Sequence, residues 1–279
     1  MRKPASIVLL GASLIWLHLG SATGKSGVPG QEKSEELLGK ILARCADYYQ
    51  FLREIRLTLL CRETVQEEIF GFRKGQGRIF SQADPNRHLR NEKNSYISEY
   101  QLTLTQGKIE EQRVLLAKNG LAINQAVENL GTRTYKNRIP FLEPLGILDQ
   151  DGQGSFDFRI VKQGHWNGIK VAILKAIPRD DEKRDYFSAE AWIALHDLSL
   201  LRLELSQRFL GDWDGIEKTS EGQEVEPRIK ISLEFLFMKD GIRFPTSCTI
   251  EESYVEPKRN KFLRSMTTVT CEKHRVQVD

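Results

Sequence analysis

The chain has 279 residues, and its 41 basic residues nearly balance its 38 acidic residues, which leaves a net charge of +3. This balance provides no clustered basic surface of the kind that binds nucleic acid. The length is sufficient to bury a large core without the help of disulfides, as one β-rich domain or two small ones.

The N-terminus has the three parts of a secretory signal peptide: a charged start, an apolar stretch over 5–19 and small residues over 20–24. The apolar stretch is shorter than the roughly 20 residues that span a bilayer, so cleavage after Ala22 is favoured over a single-pass anchor. No Cys follows it before Cys45, which argues against a bacterial lipoprotein. We expect a periplasmic or secreted protein that loses residues 1–22, has no integral membrane span and carries a net charge of about +1.

Residues 23–34 are rich in Gly, Ser and Lys and predict a flexible leader. Ser34 is a typical N-cap, and the acidic residues that follow it favour the first turn of a helix. From there to residue 60, apolar residues recur with the three-and-four spacing of an amphipathic helix of about 25 residues. These residues are Leu38, Ile41, Leu42, Cys45, Tyr49, Leu52, Ile55 and Leu59.

Downstream of residue 95, apolar residues recur with the period of two that is typical of β-strands. Turns are indicated at Gln106-Gly107 and Asn119-Gly120. Most of the connections are too short for crossover helices, so the sheet is predicted to be antiparallel and meandering. The predicted strands are 96–104, 109–117, 169–177, 189–194, 200–205, 229–238, 244–254 and 262–276.

Two stretches interrupt this series of strands. Residues 139–157 combine Pro and Gly and predict a short helix or a lid-like loop, and residues 207–227 predict an exposed, charged connection. The whole pattern predicts an α+β fold in which eight to ten antiparallel strands curl around, or pack on, one long N-terminal helix. We expect a single domain over 35–279.

The four cysteines allow three disulfide connectivities. A continuous helix over 45–61 would separate Cys45 from Cys61 by about 24 Å, whereas a disulfide needs Cα atoms within roughly 7 Å. Cys248 and Cys271 lie symmetrically about a turn, so a disulfide across that hairpin is predicted in an oxidising compartment. Four buried free thiols are the alternative.

No motif predicts an enzyme, a cofactor or a metal site. Residues 20–26 are similar to a phosphate loop but lack one residue between the glycines. Residues 149–157 have the alternation of a calcium loop, but Ile160 stands where the bidentate Glu belongs, so a solvated turn is predicted. None of the five His has a His or Cys at metal-ligand spacing, and Glu251 and Glu252 point to opposite faces of a strand.

Apolar alternation remains as the candidate signal for a site. It predicts either plain core under the helix or a cavity between a curved sheet and the helix that holds an acyl chain. Each buried methylene of such a chain would contribute about 0.8 kcal/mol. The candidate ligand-binding residues are Leu102, Leu104, Val171, Ile173, Trp192, Leu201, Leu203, Leu233, Phe235 and Phe237.

Five segments carry a resemblance: the opening helix 37–60, Ser-Tyr-Ile-Ser-Glu-Tyr-Gln-Leu at 95–102, Ala-Glu-Ala-Trp-Ile at 189–193, residues 198–204, and Asp-Gly-Ile-Arg-Phe-Pro-Thr at 240–246. They resemble the outer-membrane lipoprotein carrier-like (LolA/LolB-like) superfamily of secreted bacterial proteins. The resemblance implies an unclosed antiparallel β-barrel wrapped over helices, with an apolar concave face. It also implies carriage or sensing of lipidated or amphipathic ligands in the periplasm.

Two functions are therefore expected. The first is a non-enzymatic extracytoplasmic protein that holds a lipid, an acyl chain or a lipidated partner on the concave face of its sheet. The alternative is an envelope-associated interaction or sensing module that has a filled core, a protein partner and no small ligand.

Overall fold

The computed structural model describes residues 29–70, 91–135, 143–179, 186–207, 213–221, 224–257 and 260–278. The predicted signal peptide and the first part of the predicted leader lie outside these residues. So do residues 136–142 of the predicted Pro- and Gly-rich interruption. No helix in the described part of the chain is both long and apolar enough to span a bilayer.

The N-terminal helix α1 covers Pro29–Glu54, so it begins within the predicted leader. The prediction that the helix continues to residue 60 is wrong, because strand β1 covers Arg56–Ile69. In β1 the buried side chains alternate with more exposed ones. Leu52, Ile55 and Leu59 satisfy the helical spacing, but the residues after Ile55 already follow the period of a strand, and burial against the sheet decides their conformation.

Twelve further strands follow in the described chain, with two short helices and one 3₁₀ helix. The helical elements after α1 are the 3₁₀ helix Glu143–Leu148, α2 (Gln150–Gln153) and α3 (Trp213–Ser220). The strands are β2 (Glu92–Thr105), β3 (Lys108–Lys118), β4 (Leu121–Val127), β5 (Phe156–Trp166), β6 (Ile169–Pro178), β7 (Tyr186–Ala194), β8 (Leu200–Gln207), β9 (Glu226–Glu234), β10 (Phe237–Lys239), β11 (Ile242–Phe244), β12 (Ser247–Val255) and β13 (Lys261–Val278).

Eleven of these strands form one curved sheet, in the order β4-β3-β2-β1-β13-β12-β9-β8-β7-β6-β5. Every neighbouring pair is antiparallel. The sheet is unclosed, since β4 and β5 occupy its two ends, and β10 pairs separately with β11. The prediction of a mostly antiparallel, open sheet is confirmed.

The strand predictions differ from the structure in identifiable ways. The predicted strand 229–238 is divided between β9, which ends at Glu234, and β10, which begins at Phe237 and pairs with β11. The predicted strand 244–254 is likewise divided between β11 and β12. The region 207–227 contains α3, whose Ile216 is fully buried, so it is not wholly an exposed connection.

The core lies on one face of the sheet, which we call the inner face. Helix α1 contributes Ile41, Cys45 and Leu52 to the same buried cluster as side chains from nearly every strand of the large sheet. Full burial of each Leu or Ile side chain contributes about 1.5–3 kcal/mol. This cluster is the main source of stability in the fold.

A short segment after β4, residues 128–135, crosses onto the inner face, and we call it the polar strap. Glu67 of β1 accepts hydrogen bonds from the backbone N–H groups of Arg133 at 2.7 Å and Thr134 at 3.2 Å. The hydroxyl of Tyr135 donates to Glu63 at 3.0 Å. Both carboxylates are buried, so the strap supplies the partners that buried charges require.

Candidate functional site

The candidate site is a recess of about 190 Å³ beside α1, which we call the α1 cavity. It is bounded by α1, by the end of the 3₁₀ helix, by the turn between β7 and β8, and by the β10–β11 hairpin. Its walls combine buried apolar side chains with a polar end. The lining residues are Arg44, Cys45, Tyr48, Tyr49, Leu148, Asp197, Leu198, Ser199, Leu200, Met238, Gly241 and Arg243.

Arg243 of β11 forms the polar end of the cavity and is only 9% exposed. Its Nε donates to Ser199 Oγ at 2.7 Å, and its Nη1 donates to the Phe235 carbonyl at 3.4 Å. Its Nη2 lies 3.5 Å from Asp197 Oδ2. Its backbone N–H also donates to the Tyr48 hydroxyl at 3.0 Å, which ties the hairpin to α1. These contacts fix the guanidinium in one position at the cavity wall.

Asp197 is ionised in this arrangement. Partial burial opposes its charge, but Ser199 outweighs that effect by donating its backbone N–H at 3.0 Å and its hydroxyl at 2.7 Å to Oδ1. His196 and Arg243 also lie nearby, and the pKa of Asp197 is held below its ordinary value. The polar end of the cavity is therefore a fixed ion pair of Asp197 with Arg243.

The α1 wall is neutral at physiological pH, apart from the exposed Arg44. Burial raises the pKa of Tyr48 to about 12 and that of Cys45 to about 12. Because the thiolate is the reactive form of Cys, burial makes Cys45 a poor nucleophile. This wall offers an apolar surface and one phenol, which suits binding better than catalysis.

Leu198, in the turn between β7 and β8, has a φ of 56° and lines the cavity. A left-handed conformation costs a branched residue about 1–2 kcal/mol. The turn holds it there through the Leu198 N–H, which donates to the Ala194 carbonyl at 3.0 Å. Strain of this kind is concentrated at functional sites, and here it presents an apolar side chain to the recess.

The segment 149–157, whose spacing is similar to a calcium loop, has a structural role. Asp149 is the N-cap of α2, and its side chain accepts from the Gly152 N–H. Gln153 Nε2 donates to the carbonyls of Leu42 and Leu148, both at 2.8 Å, and so fastens the corner to α1. No group of three His, Cys, Asp or Glu in the described residues could hold a metal ion.

The ten predicted ligand-binding residues lie elsewhere than the lining of the α1 cavity. Leu102, Leu104, Leu203, Leu233 and Phe235 are buried in the main core. Phe237 is half-buried, and its ring stacks on His274 with a centroid distance of 4.4 Å. The side chains of these six residues pack against other parts of the protein. Their role in ligand binding stays a prediction.

The other four predicted residues belong to a second, smaller cluster. Val171 and Ile173 alternate along β6 with residues of the main core, so they point to the outer face of the sheet. Trp192 and Leu201 join them there, and Arg202 lies 5.2 Å from the ring centroid of Trp192. The ten predicted ligand-binding residues, which the sequence pattern treated as one group, are therefore divided between the inner and outer faces of the sheet.

Apolar alternation along the strands did not identify the residues that line the α1 cavity. Tyr49 and Cys45 were assigned to the helical stripe, and Arg243 lies in a segment that carried the family resemblance. A buried Arg between Ile242 and Phe244 indicates a partnered charge, but its partners Asp197 and Ser199 are remote in sequence.

The four cysteines are all buried thiols. Cys248 of β12 pairs in register with Val269, two residues before Cys271. The helical separation assumed for Cys45 and Cys61 does not apply, because Cys61 lies on β1. The predicted disulfide between Cys248 and Cys271 stays a prediction.

No protein-family model matches the chain, and no curated protein matches it. Among solved structures, it is similar to a DUF1329 family protein from Desulfovibrio piger, with 14% identity, a TM-score of 0.35 and coverage of 85% of this chain and 92% of that one.

It is also similar to a putative outer membrane lipoprotein-sorting protein domain from Vibrio parahaemolyticus, with 11% identity, a TM-score of 0.34 and coverage of 88% and 93%. A LolA superfamily protein from Nitrosomonas europaea gives 10% identity, a TM-score of 0.32 and coverage of 85% and 92%.

Proposed function

We propose that this protein is an extracytoplasmic, non-enzymatic binding protein whose α1 cavity holds the apolar end of an acyl chain or of a lipidated partner. The observation that carries the proposal is the composition of this recess. Leu148, Leu198 and Leu200 form apolar walls, and the fixed Arg243 stands at one end. Pockets for small ligands combine apolar walls with a few convergent polar groups in this way.

The size of the recess limits what enters it. Its volume of about 190 Å³ is comparable to the roughly 150 Å³ apolar cavity that stays dry and binds benzene in another protein. The cavity therefore takes a short terminal stretch of an acyl chain, and the rest of the chain or its carrier remains outside. Met238, which is 54% exposed, lies at the rim and can adapt to such a ligand.

The proposal includes a sheet wrapped around α1. In support, α1 contacts both β2 and β5, which lie near opposite ends of the sheet order. Cys45, Leu148 and Leu200 belong both to the wall of the recess and to the main core, so the recess lies beside α1 at the margin of that core. A ligand can then enter beside α1 without displacing the fully buried side chains of the inner face.

The test is lipid capture by variants that fill the recess. Leu148→Phe and Leu200→Phe add volume to the cavity wall. We expect each to weaken the binding of a fluorescent fatty acid at least tenfold. Leu121→Phe is the matched control, because Leu121 is 73% exposed on β4 and far from the cavity lining. Equal affinity for all three variants and the wild type would contradict the proposal.

A protein-interaction module is the second candidate, and strand β4 favours it. β4 is an edge strand of seven residues without an ionisable side chain, and its Leu121 and Ile123 are 73% and 41% exposed. An exposed, uncharged edge can pair with an added strand. Native mass spectrometry of the purified protein discriminates the two candidates: a lipid-sized adduct supports the first, and its absence supports the second.

A further inference from the structure

We propose that the ligand of the α1 cavity is an anionic amphiphile, whose carboxylate or phosphate head group binds Arg44 at the mouth of the recess. The inference rests on the proposed function, since it names the head group of the same ligand. It follows from the two arginines of the cavity lining, Arg44 and Arg243, whose surroundings differ.

The lining of the cavity carries more positive than negative charge. Its charged residues are Arg44, Arg243 and Asp197, so one positive charge is in excess. Tyr48 and Cys45 add no negative charge at neutral pH, because burial raises the pKa of each to about 12. An excess of positive charge beside an apolar recess favours a ligand that is both apolar and anionic.

Arg243 has little capacity left for a ligand. Its side-chain nitrogens contact Ser199, the Phe235 carbonyl and Asp197. The charge of Asp197 offsets that of Arg243, and Asp197 also accepts two hydrogen bonds from Ser199. An anion brought against this pair would lose its hydration and meet the like charge of Asp197. The polar end therefore shapes the cavity wall and leaves the head group to another residue.

Arg44 differs from Arg243 in each of these respects. It is exposed on α1, next in sequence to the buried Cys45. In the part of the chain that the structure describes, its guanidinium forms no ion pair. Lys40, one turn before it, pairs with Glu36 instead. The positive charge of Arg44 is therefore hydrated and open to an anion from solution.

Helical spacing places Arg44 on the cavity side of α1. Residues four apart lie on the same face of a helix, and Tyr48, four residues after Arg44, lines the cavity with it. The Tyr48 hydroxyl accepts from the Arg243 N–H at 3.0 Å, which fixes that face against the hairpin. The exposed guanidinium thus borders the apolar wall, and its long flexible stem reaches a head group outside the recess.

A medium-chain amphiphile satisfies both parts of the site at once. Its alkyl tail packs against Leu148, Leu198 and Leu200, which form the apolar walls. Its head group stays at the mouth, where water still hydrates it, so the cost of burying a charge is avoided. A guanidinium binds carboxylate and phosphate groups through two parallel hydrogen bonds. Fatty acids and phospholipid fragments are the two sources of such a head group.

The experiment measures the binding of octanoate, octyl phosphate and octanol to the full chain by isothermal titration calorimetry, near neutral pH and at low salt. We expect Arg44→Gln to weaken the binding of the preferred anion about three- to tenfold and to leave octanol binding unchanged. Added salt should weaken anion binding to the wild type but not octanol binding. Preference for octanoate indicates a fatty acid, and preference for octyl phosphate indicates a phospholipid fragment.

The outcomes separate this inference from the proposed function. If octanol binds but Arg44→Gln leaves the affinity for both anions unchanged, or weakens octanol binding equally, the anionic head group is wrong and the cavity still holds an alkyl chain. If none of the three ligands binds the wild type, the proposed function itself fails.

Lys40→Gln is the matched control for charge. It removes the same charge one helical turn away, from a side chain that pairs with Glu36 and does not line the cavity. We expect its affinity for the anion to stay within about twofold of the wild type. An equal loss in Lys40→Gln and Arg44→Gln would show that the overall charge of α1 attracts the anion, and it would overturn the assignment to Arg44.

Discussion

Along β1, the inner face changes character between Cys61 and Glu63. Before this point, Leu57, Leu59 and Cys61 are buried among apolar neighbours, and we call this region the apolar half. After it, Glu63 and Glu67 are 0% and 2% exposed and bind charged or polar partners. We call this second region the polar half.

The polar half extends across neighbouring strands. Arg113 of β3 binds Glu63 through Nε at 2.8 Å, and Ser98 of β2 donates to the same carboxylate at 2.7 Å. On the other side, Arg264 of β13 and Glu252 of β12 form a second buried ion pair at 2.7 Å. These contacts are directional, so they are satisfied in one strand register only.

The α1 cavity lies beside the apolar half. Arg202 pairs with Glu234, Glu234 with Ser247, Ser247 with Thr270 and Thr270 with Thr64 of β1. The β7–β8 turn, which precedes Arg202, therefore lies level with the apolar half. Apolar packing is non-directional and tolerates rearrangement within a conserved volume better than a buried ion pair does. The polar half therefore fixes the strand register, and the apolar half tolerates the repacking that the proposed ligand contact requires.

The largest expected effect comes from breaking the pair of Glu63 with Arg113. Arg113→Met leaves the Glu63 carboxylate buried without its counter-charge, and we expect a loss of about 3–5 kcal/mol in the free energy of unfolding. The double variant Glu63→Leu/Arg113→Met removes both charges and should cost clearly less than Arg113→Met alone. Urea unfolding of the three proteins measures these losses.

The matched experiment in the apolar half uses Leu59 and Leu102, which face each other across β1 and β2. Each change to Ala should cost about 2–5 kcal/mol through lost burial and a cavity. Here the double variant should cost more than either single one, since no charge is left to be relieved. The division into two halves is wrong if the Leu59/Leu102 double variant is more stable than either single variant. It is also wrong if Glu63→Leu/Arg113→Met is no more stable than Arg113→Met.

The sequence predicted the buried apolar side chains opposite the apolar half, on β2, although it assigned the start of β1 to the helix. Leu102 and Leu104 were recognised from alternation alone, because a strand with one buried face repeats every two residues. Glu63 and Glu67 obey the same alternation in β1, but their charge hides it, and the preceding helical stripe concealed the strand. Their partners Arg113 and Tyr135 are distant in sequence, so only the folded chain reveals them.

The α1 cavity shows the same limit. Its apolar α1 wall follows from the helical stripe that contains Cys45 and Tyr49. Its polar end joins Asp197, Ser199 and Arg243, whose contact depends on how the β7–β8 turn meets the β10–β11 hairpin. Local periodicity predicts which face of each element is buried, but it carries no information about which turns meet.

A smaller effect is expected at the polar strap. Glu67→Gln keeps the acceptor oxygen but removes the charge that strengthens the bonds from Arg133 and Thr134. We expect a cost of about 1 kcal/mol and faster hydrogen exchange at these two amides. Glu68→Gln is the control: Glu68 pairs with Lys93, which is largely exposed, so its loss should cost less than about 1 kcal/mol. Unchanged hydrogen exchange at these two amides in Glu67→Gln would show that the charge of Glu67 does not hold the polar strap in place.

The smallest effect concerns His274, whose ring packs on Phe237 at the apolar end. Burial lowers the pKa of His274 below its ordinary value, despite a hydrogen bond to the Pro245 carbonyl. The unfolded chain binds this proton near pH 6.5, whereas the folded protein resists it. The contribution to stability is therefore complete above that pH and is lost as the pH falls below it.

His274→Phe keeps the ring stack and removes the titration, so its stability should depend less on pH than that of the wild type between about pH 6.5 and 5. The measurement is the difference in urea midpoint between wild type and variant at pH 8 and at pH 5. Paired charges stabilise the polar half, whereas the apolar half is stabilised by keeping His274 uncharged. A difference in midpoint that does not change with pH would show that the apolar end accepts the proton as readily as water does.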